Sequence, residues 1–444
     1  MTLPVDVNGL FGHTDTVNQV ANWLRNASAL SPSIEKVVYD GAVRFPALFG
    51  VVTLVLFAII ITVSLESKVR LIHAKETVLL SSFNAQKTRV EKTALASLVR
   101  AKCPSLARGS FRPTLWLPTG HAQTVYAGLI SKFPELRVDY DREICDLPDG
   151  GLVAIDWAPK NYRDLAQSSP ILILLHGLAG GSRETYICDL VPEALKLGYR
   201  VAALNYRGCG GMEIATPQLY SGSWTNDVRL LTKKIQAENP TAPLIGIGWS
   251  LGANILLKCV GEDSTNSPLV ACVSIANPFD LNMGLSFLHN TWLGKELYSR
   301  VMTKSLISIF AKHRNLFEKN PDHPSFSATV SSSKILASKF LPDFDEAVTR
   351  RVFGFRSVSE YYRMGSSAQF IPDVAIPTLL LNDVNDPIAA RKCIPVSDVL
   401  ANPNIILATT ERGGHIGWFE GLFFPKRWFP KPVLEFVKAV LEVS

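Results

Sequence analysis

The sequence predicts an α/β fold, a mostly parallel sheet whose strands are joined by crossover helices. Three observations predict it. Short apolar runs alternate with amphipathic helical stretches, the pattern of βαβ units. One such run (Leu244, Ile245, Ile247) leads directly into Gly248-Trp249-Ser250-Leu251-Gly252, and a helical apolar pattern follows at Leu251, Ile255, Leu256 and Leu257. From Pro278 to about Pro372 the alternation stops, and aromatic, Leu-bearing helical stretches replace it.

Gly-x-Ser-x-Gly between a strand and a helix is a tight turn that lifts a serine hydroxyl off the end of a sheet. The serine takes a crowded backbone conformation. Its neighbours two residues away must lack a Cβ for strand and helix to close around it. Ser250 is therefore the candidate nucleophile.

Composition sets the bounds. With 444 residues, the chain exceeds one ordinary domain but could hold one large α/β unit with appendages. A hydrophobic fraction of 47% against a charged fraction of 19% describes a globular chain. The net charge of +6 is scattered, with no basic block or basic-aromatic stripe to suggest nucleic acid. Seven cysteines cannot all pair, and no C-x-x-C or His/Cys cluster proposes a metal. Cys188, Cys259 and Cys272 sit in apolar surroundings and are expected in the core.

In chain order, residues 1–42 form a polar tail with no signal-peptide pattern. Asn26-Ala27-Ser28 is a glycosylation sequon, usable only if this end reaches a lumen. Residues 43–65 predict a transmembrane helix: from Phe45 to Leu65 there are 21 uncharged residues in succession. As a helix these span about 31 Å, the thickness of a bilayer's hydrocarbon core. Basic residues flank both sides (Arg25, Lys36, Arg44; Lys68, Arg70, Lys75), so charge does not set the orientation. A single-pass protein of the endoplasmic reticulum or a lipid-associated membrane is expected. Residues 66–107 carry Val69, Ile72, Leu79 and Leu80 at loosely helical spacing and predict a juxtamembrane helical stalk.

The catalytic domain is expected over 108–444. Phe111 to Leu129 reads as an ordered loop entering a helix. Strands are expected at Leu152–Trp157, Ile171–Leu175, Arg200–Asn205, Val270–Ala276, Thr378–Leu381 and Asn404–Ala408. Helices are expected at Thr185–Leu197, Trp224–Glu238 and Pro432–Leu441. The helical insertion at about 278–372 predicts a cap over the sheet's active end.

A serine hydroxyl needs a base beside it, and the base a carboxylate to orient it. In this architecture they follow in the order Ser, acid, His, from loops after later strands. Asp386 lies past Thr378–Leu381, and His415 past Asn404–Ala408 between glycines that would let the ring swing toward the serine. His121 and His176 precede the serine, and His289, His313 and His323 fall in the insertion. Asp386 leads for the acid. Asp383 competes because it lies nearer the strand, and Asp280 remains possible. The oxyanion donors expected are the amides of Leu251 and Leu178, the latter in the loop His176-Gly-Leu-Ala-Gly-Gly. Gly177 to Ser182 resembles a phosphate cradle, but no G-K-[ST] follows, and a nucleotide site is not expected.

RPTLWLPTGHAQT, HGLAGGS, LNYRGCGG, GWSLGAN, NDVNDP and GGHIGW occur together in this order. The combination resembles the α/β-hydrolase branch that includes yeast medium-chain ethyl-ester synthase/esterases, vertebrate membrane-anchored phospholipase-type hydrolases and plant embryogenesis-associated proteins. The similarity covers about 108–444. It implies a Ser250, Asp386, His415 triad, activity on medium-chain acyl esters, glycerides or phospholipids, and in some members transfer to an alcohol. It implies no metal or organic cofactor. Where some acyl-transferring hydrolases carry His-x4-Asp, this chain reads His415-x4-Glu420. Two functional classes follow: a membrane-anchored serine hydrolase of lipid esters, and a non-catalytic scaffold binding a lipid or protein. An intact triad favours the first.

Overall fold

The computed structural model describes residues 66–83, 89–130, 138–319 and 331–443, within a compact unit spanning Leu65–Ser444. The tail over 1–42 and the membrane helix expected over 43–65 lie outside the described residues. Among the described residues, no helix is long and apolar enough to cross a membrane.

Among the described residues, nine strands form the central sheet: β1 (Arg70–His73), β2 (Asp141–Asp146), β3 (Leu152–Ala158), β4 (Ile171–Leu175), β5 (Arg200–Asn205), β6 (Leu244–Trp249), β7 (Ala271–Ile275), β8 (Thr378–Asp383) and β9 (Ile405–Thr410). Their spatial order is β1-β9-β8-β7-β6-β4-β5-β3-β2. The block from β9 to β5 is parallel throughout. The pairs β3–β5, β2–β3 and β1–β9 are antiparallel.

The parallel strands are buried on both faces, which is why they read as unbroken apolar runs. Alternation divides their side chains. Leu172, Leu174, Ile245, Ile247, Val273 and Ile275 pack with α1 (Leu95–Lys102), α3 (Thr185–Lys196) and α9 (Pro430–Leu441). Ile171, Ile173, Leu175, Leu244 and Leu380 pack on the other face with α4 (Asn226–Glu238) and α5 (Leu251–Asp263). In the chain, α2 (Gly120–Ile130) precedes β2.

The stalk expected over 66–107 is not what the chain forms. Ser67–Lys68 pairs with Ser110–Phe111, Arg70–His73 extends the sheet as β1, and Leu79–Phe83 pairs with Arg89–Ala94. Only Leu95–Lys102 and Pro104–Ala107 are helical there. Four apolar residues in so short a window fit either period. The edge of β9, with unpaired backbone groups, is satisfied by a strand and not by a helix. The folded unit therefore starts near residue 65 and not at 108.

Between β7 and β8 the described residues form helices: α6 (Leu281–His289), α7 (Arg300–Lys319), α8 (Val358–Gly365) and short turns between them. This insertion has its own apolar cluster, with Leu306, Phe310, Phe317, Phe344 and Val348 packed against Ile214 and Leu219.

Candidate active site

Ser250 joins β6 to α5 with φ 52° and ψ −120°, a backbone conformation rare for a residue with a side chain. Close packing enforces it. A Cβ on Gly252 would stand 2.3 Å from the carbonyl oxygens of both Leu175 and His176, and one on Gly248 2.6 Å from Gly252 O. The Ser250 amide donates to Ile275 O at 2.9 Å, tying the turn to the neighbouring strand.

The loops after β8 and β9 bring Asp386 and His415 to this turn. His415 Nε2 is 2.8 Å from Ser250 Oγ, and His415 Nδ1 is 2.7 Å from Asp386 Oδ2. The other Asp386 oxygen accepts from the Ile388 and Ala389 amides at 2.7 and 2.8 Å. Both residues are buried. The His415 amide donates to Thr124 Oγ1 of α2 at 2.8 Å, and that hydroxyl donates to Gly120 O at 2.7 Å. The bracketing glycines serve this packing. A Cβ on Gly414, whose φ is +61°, would lie 2.2 Å from Gly120 O.

The rival groups are engaged elsewhere. Asp383 accepts from Thr410 Oγ1 (2.7 Å) and the amides of Gly413 (2.7 Å) and Asn385 (3.0 Å), so it fastens the loop leading to His415. Burial pushes its carboxyl up to about 7. Asp280 caps α6 by accepting from the Met283 amide. His176 has its Nδ1 2.7 Å from Gly177 O, and burial lowers its imidazole to about 4, which leaves it neutral. His121 meets the Tyr298 hydroxyl, His289 meets Ser299, and His313 meets Glu213. His323 lies outside the described residues. Glu420 pairs through its backbone with Lys426 and makes no hydrogen bond to the triad candidates.

The loop after β4 is pinned by two phenols. Gly177 N–H donates to Tyr186 Oη at 2.9 Å and Ala179 N–H to Tyr220 Oη at 2.5 Å. The amide between them, that of Leu178, has no partner among the described residues. Nor has that of Leu251, at the free N-terminus of α5. Gly177 backs directly onto the nucleophile turn, where a Cβ would lie 3.3 Å from Ser250 Cβ. Two unengaged donors beside a hydroxyl suit a developing oxyanion.

Ser250, Leu178 and Leu251 border one cavity of about 140 Å³. Its other walls come mainly from the insertion: Leu285, Leu288, Leu306, Phe344 and Val348, with Asp345 among them. The arrangement offers a polarised hydroxyl, a base, two free amides and an apolar recess. Nothing in the sequence pattern marked Thr124, Tyr186 or Tyr220. Their hydroxyls matter only through backbone groups that tertiary packing brings near.

With sheet order and site in place, the class follows. The chain matches the alpha/beta hydrolase fold family over residues 170–422, and it belongs to that family. Its relatives include the Embryogenesis-associated protein EMB8 of Picea glauca, 34% identical over 349 residues, with 77% of this chain and 74% of that protein covered. The Monoacylglycerol lipase of Saccharomyces cerevisiae is 30% identical over 404 residues, covering 82% of this chain and 88% of its own. Phospholipase ABHD3 of Homo sapiens is 31% identical over 349 residues, covering 77% and 81%.

Proposed function

We propose that this chain is a serine hydrolase of lipid esters, with Ser250 as nucleophile, His415 as base, Asp386 as the orienting acid and the Leu178 and Leu251 amides as oxyanion donors. The observation that carries the reading is the unbroken run from Asp386 Oδ2 through His415 to Ser250 Oγ, with contacts of 2.7 and 2.8 Å, beside an apolar cavity. Relatives named as a monoacylglycerol lipase and a phospholipase agree with it.

Ser250 Oγ attacks the ester carbonyl carbon while its proton passes to His415 Nε2. Asp386 holds Nδ1–H and stabilises the imidazolium. The carbonyl oxygen gathers negative charge between the two amides, each such donor supplying about 10² to 10³ in rate. The intermediate collapses, the C–O bond to the alcohol breaks, and His415 returns the proton to that alcohol. Water then repeats the sequence on the acyl-enzyme and frees the acid. An alcohol in place of water would give a new ester by the same steps, and a medium-length acyl chain suits the recess. Residues 45–65, in this proposal, hold the enzyme in a membrane as a single pass, at the endoplasmic reticulum or a lipid-associated membrane, close to substrates that partition into lipid.

Turnover of glyceryl and p-nitrophenyl esters with short, medium and long acyl chains tests the proposal. Wild type should hydrolyse at least one class, and Ser250→Ala should lose about 10⁴-fold or more in kcat. No turnover across the whole series would favour the binding scaffold instead.

A further inference from the structure

Asp345 is an ionisable side chain that this chemistry does not use. It lines the same cavity as Ser250 and is only 7% exposed. It opens a π-helical turn, Asp345–Thr349, that brings Asp345 and Thr349 to the cavity together. Such turns are rare and recur at functional sites. The Tyr362 hydroxyl, on α8, donates to Asp345 Oδ2 at 2.6 Å, and Thr349 lines the cavity one turn further on. Among the described residues no cation pairs with it. Arg350 and Arg351, nearby in sequence, pair instead with Glu346. Burial pushes the carboxyl up to about 6, so at neutral pH it is mostly ionised against an apolar wall.

A carboxylate offers about four lone-pair sites, and among the described residues Tyr362 supplies the hydrogen bond that meets one of them. Burying such a group is costly unless its acceptor capacity is met. Asp345 borders the cavity, where a donor for the remaining capacity can come from water or from a bound ligand that displaces it. A neutral hydroxyl suits the place better than an ammonium group, which would shed a far larger hydration energy to enter an apolar recess.

We propose that Asp345, held by Tyr362, is a hydroxyl-binding subsite that selects esters carrying an alcohol group over apolar esters of equal length. The inference rests on Ser250 being the centre of a lipid-ester hydrolase and names a substrate class for it. The competing role is purely structural, a tie between the turn and α8.

Calorimetry on the full chain with three non-reacting ligands of nearly equal length separates the two: heptyl methyl ether, which has no donor, octanol and octylamine. Wild type should bind octanol about tenfold more tightly than the ether, as a hydrogen bond to a charged acceptor allows, and more tightly than the amine. Asp345→Leu should reverse the preference between octanol and ether, and Asp345→Asn, which keeps the volume and one acceptor, should retain part of it. Equal binding of octanol and ether by wild type, or tighter binding of the amine, overturns the proposal, even if the leucine variant fails to fold. The measurement needs no turnover. An octanol preference in a protein that cleaves no ester removes the hydrolase reading and leaves the subsite; turnover without the preference does the reverse.

Discussion

Asp386→Asn is the substitution whose outcome the geometry specifies most fully. Asparagine has nearly the shape of aspartate. Its Oδ1 can keep both amide bonds, from Ile388 at 2.7 Å and Ala389 at 2.8 Å. That assignment places Nδ2, a donor, where Oδ2 now stands 2.7 Å from His415 Nδ1. Two donors cannot share one contact, so the ring must take the tautomer with its proton on Nε2. Nε2 then donates toward Ser250 Oγ across the 2.8 Å contact and cannot accept its proton. Loss of the base in this way costs about 10⁴ in kcat, or about 5.5 kcal/mol of barrier. Stability should change by no more than about 1 kcal/mol, because no other bond is broken. Steady-state hydrolysis of p-nitrophenyl octanoate, with a urea midpoint on the same preparation, reads both. Asp383→Asn is the control: that side chain makes no contact with the ring, and its activity should stay within about tenfold of wild type. Activity of Asp386→Asn within tenfold of wild type, or an equal loss in both variants, would refute the reasoning.

Other perturbations test the surrounding structure. Thr124→Val keeps the shape but strands the His415 amide, and should cost about 1–3 kcal/mol of stability and tenfold or more in kcat with KM little changed; unchanged kcat would remove Thr124 as a positioning residue. Gly252→Ala puts a Cβ 2.3 Å from two carbonyl oxygens and should sharply lower Tm, so a wild-type Tm would deny that close approach. The pH dependence of stability offers a third test. Asp383 is raised by burial from 3.8 to about 7, so the folded chain holds a proton that the unfolded chain releases across that window. Its contribution to stability therefore falls as pH rises from about 4 to about 7. His176, lowered to about 4, acts oppositely, losing stability as pH drops below about 6.5. It is common to wild type and variant. Urea midpoints of Asp383→Asn should thus decline less than those of wild type between pH 4 and 7, and parallel curves would contradict the assignment.

The buried parallel strands were legible because burial on both faces leaves an unbroken apolar run. Ile171–Leu175 and Arg200–Asn205 have the expected limits. Strand ends past the last apolar residue were not: β8 runs on to Asp383 and β9 to Thr410, through polar residues held by neighbouring backbone. β2, Asp-Arg-Glu-Ile-Cys-Asp, gave no signal, since an edge strand carries charge that resembles a loop. β1 was hidden in the same way, and so the start of the domain was misjudged. At the site, turn chemistry marked Ser250, and loop position after successive strands marked Asp386 and His415; the structure brings these three together. Asp383 and Asp386 could not be separated by spacing, because the choice depends on which carboxylate the loop turns toward the ring. The phenols that pin the Leu178 loop, and Asp345 in the cavity, act through approaches between distant segments that no local pattern records.

The most direct measurement is the position of a covalent adduct. The protein is treated with a fluorophosphonate, digested, and the modified peptide sequenced by tandem mass spectrometry. The adduct is predicted on Ser250 and should vanish on denaturation or in His415→Ala. An adduct on another serine, or none on Ser250 in folded protein that still turns over ester, would contradict the proposed chemistry.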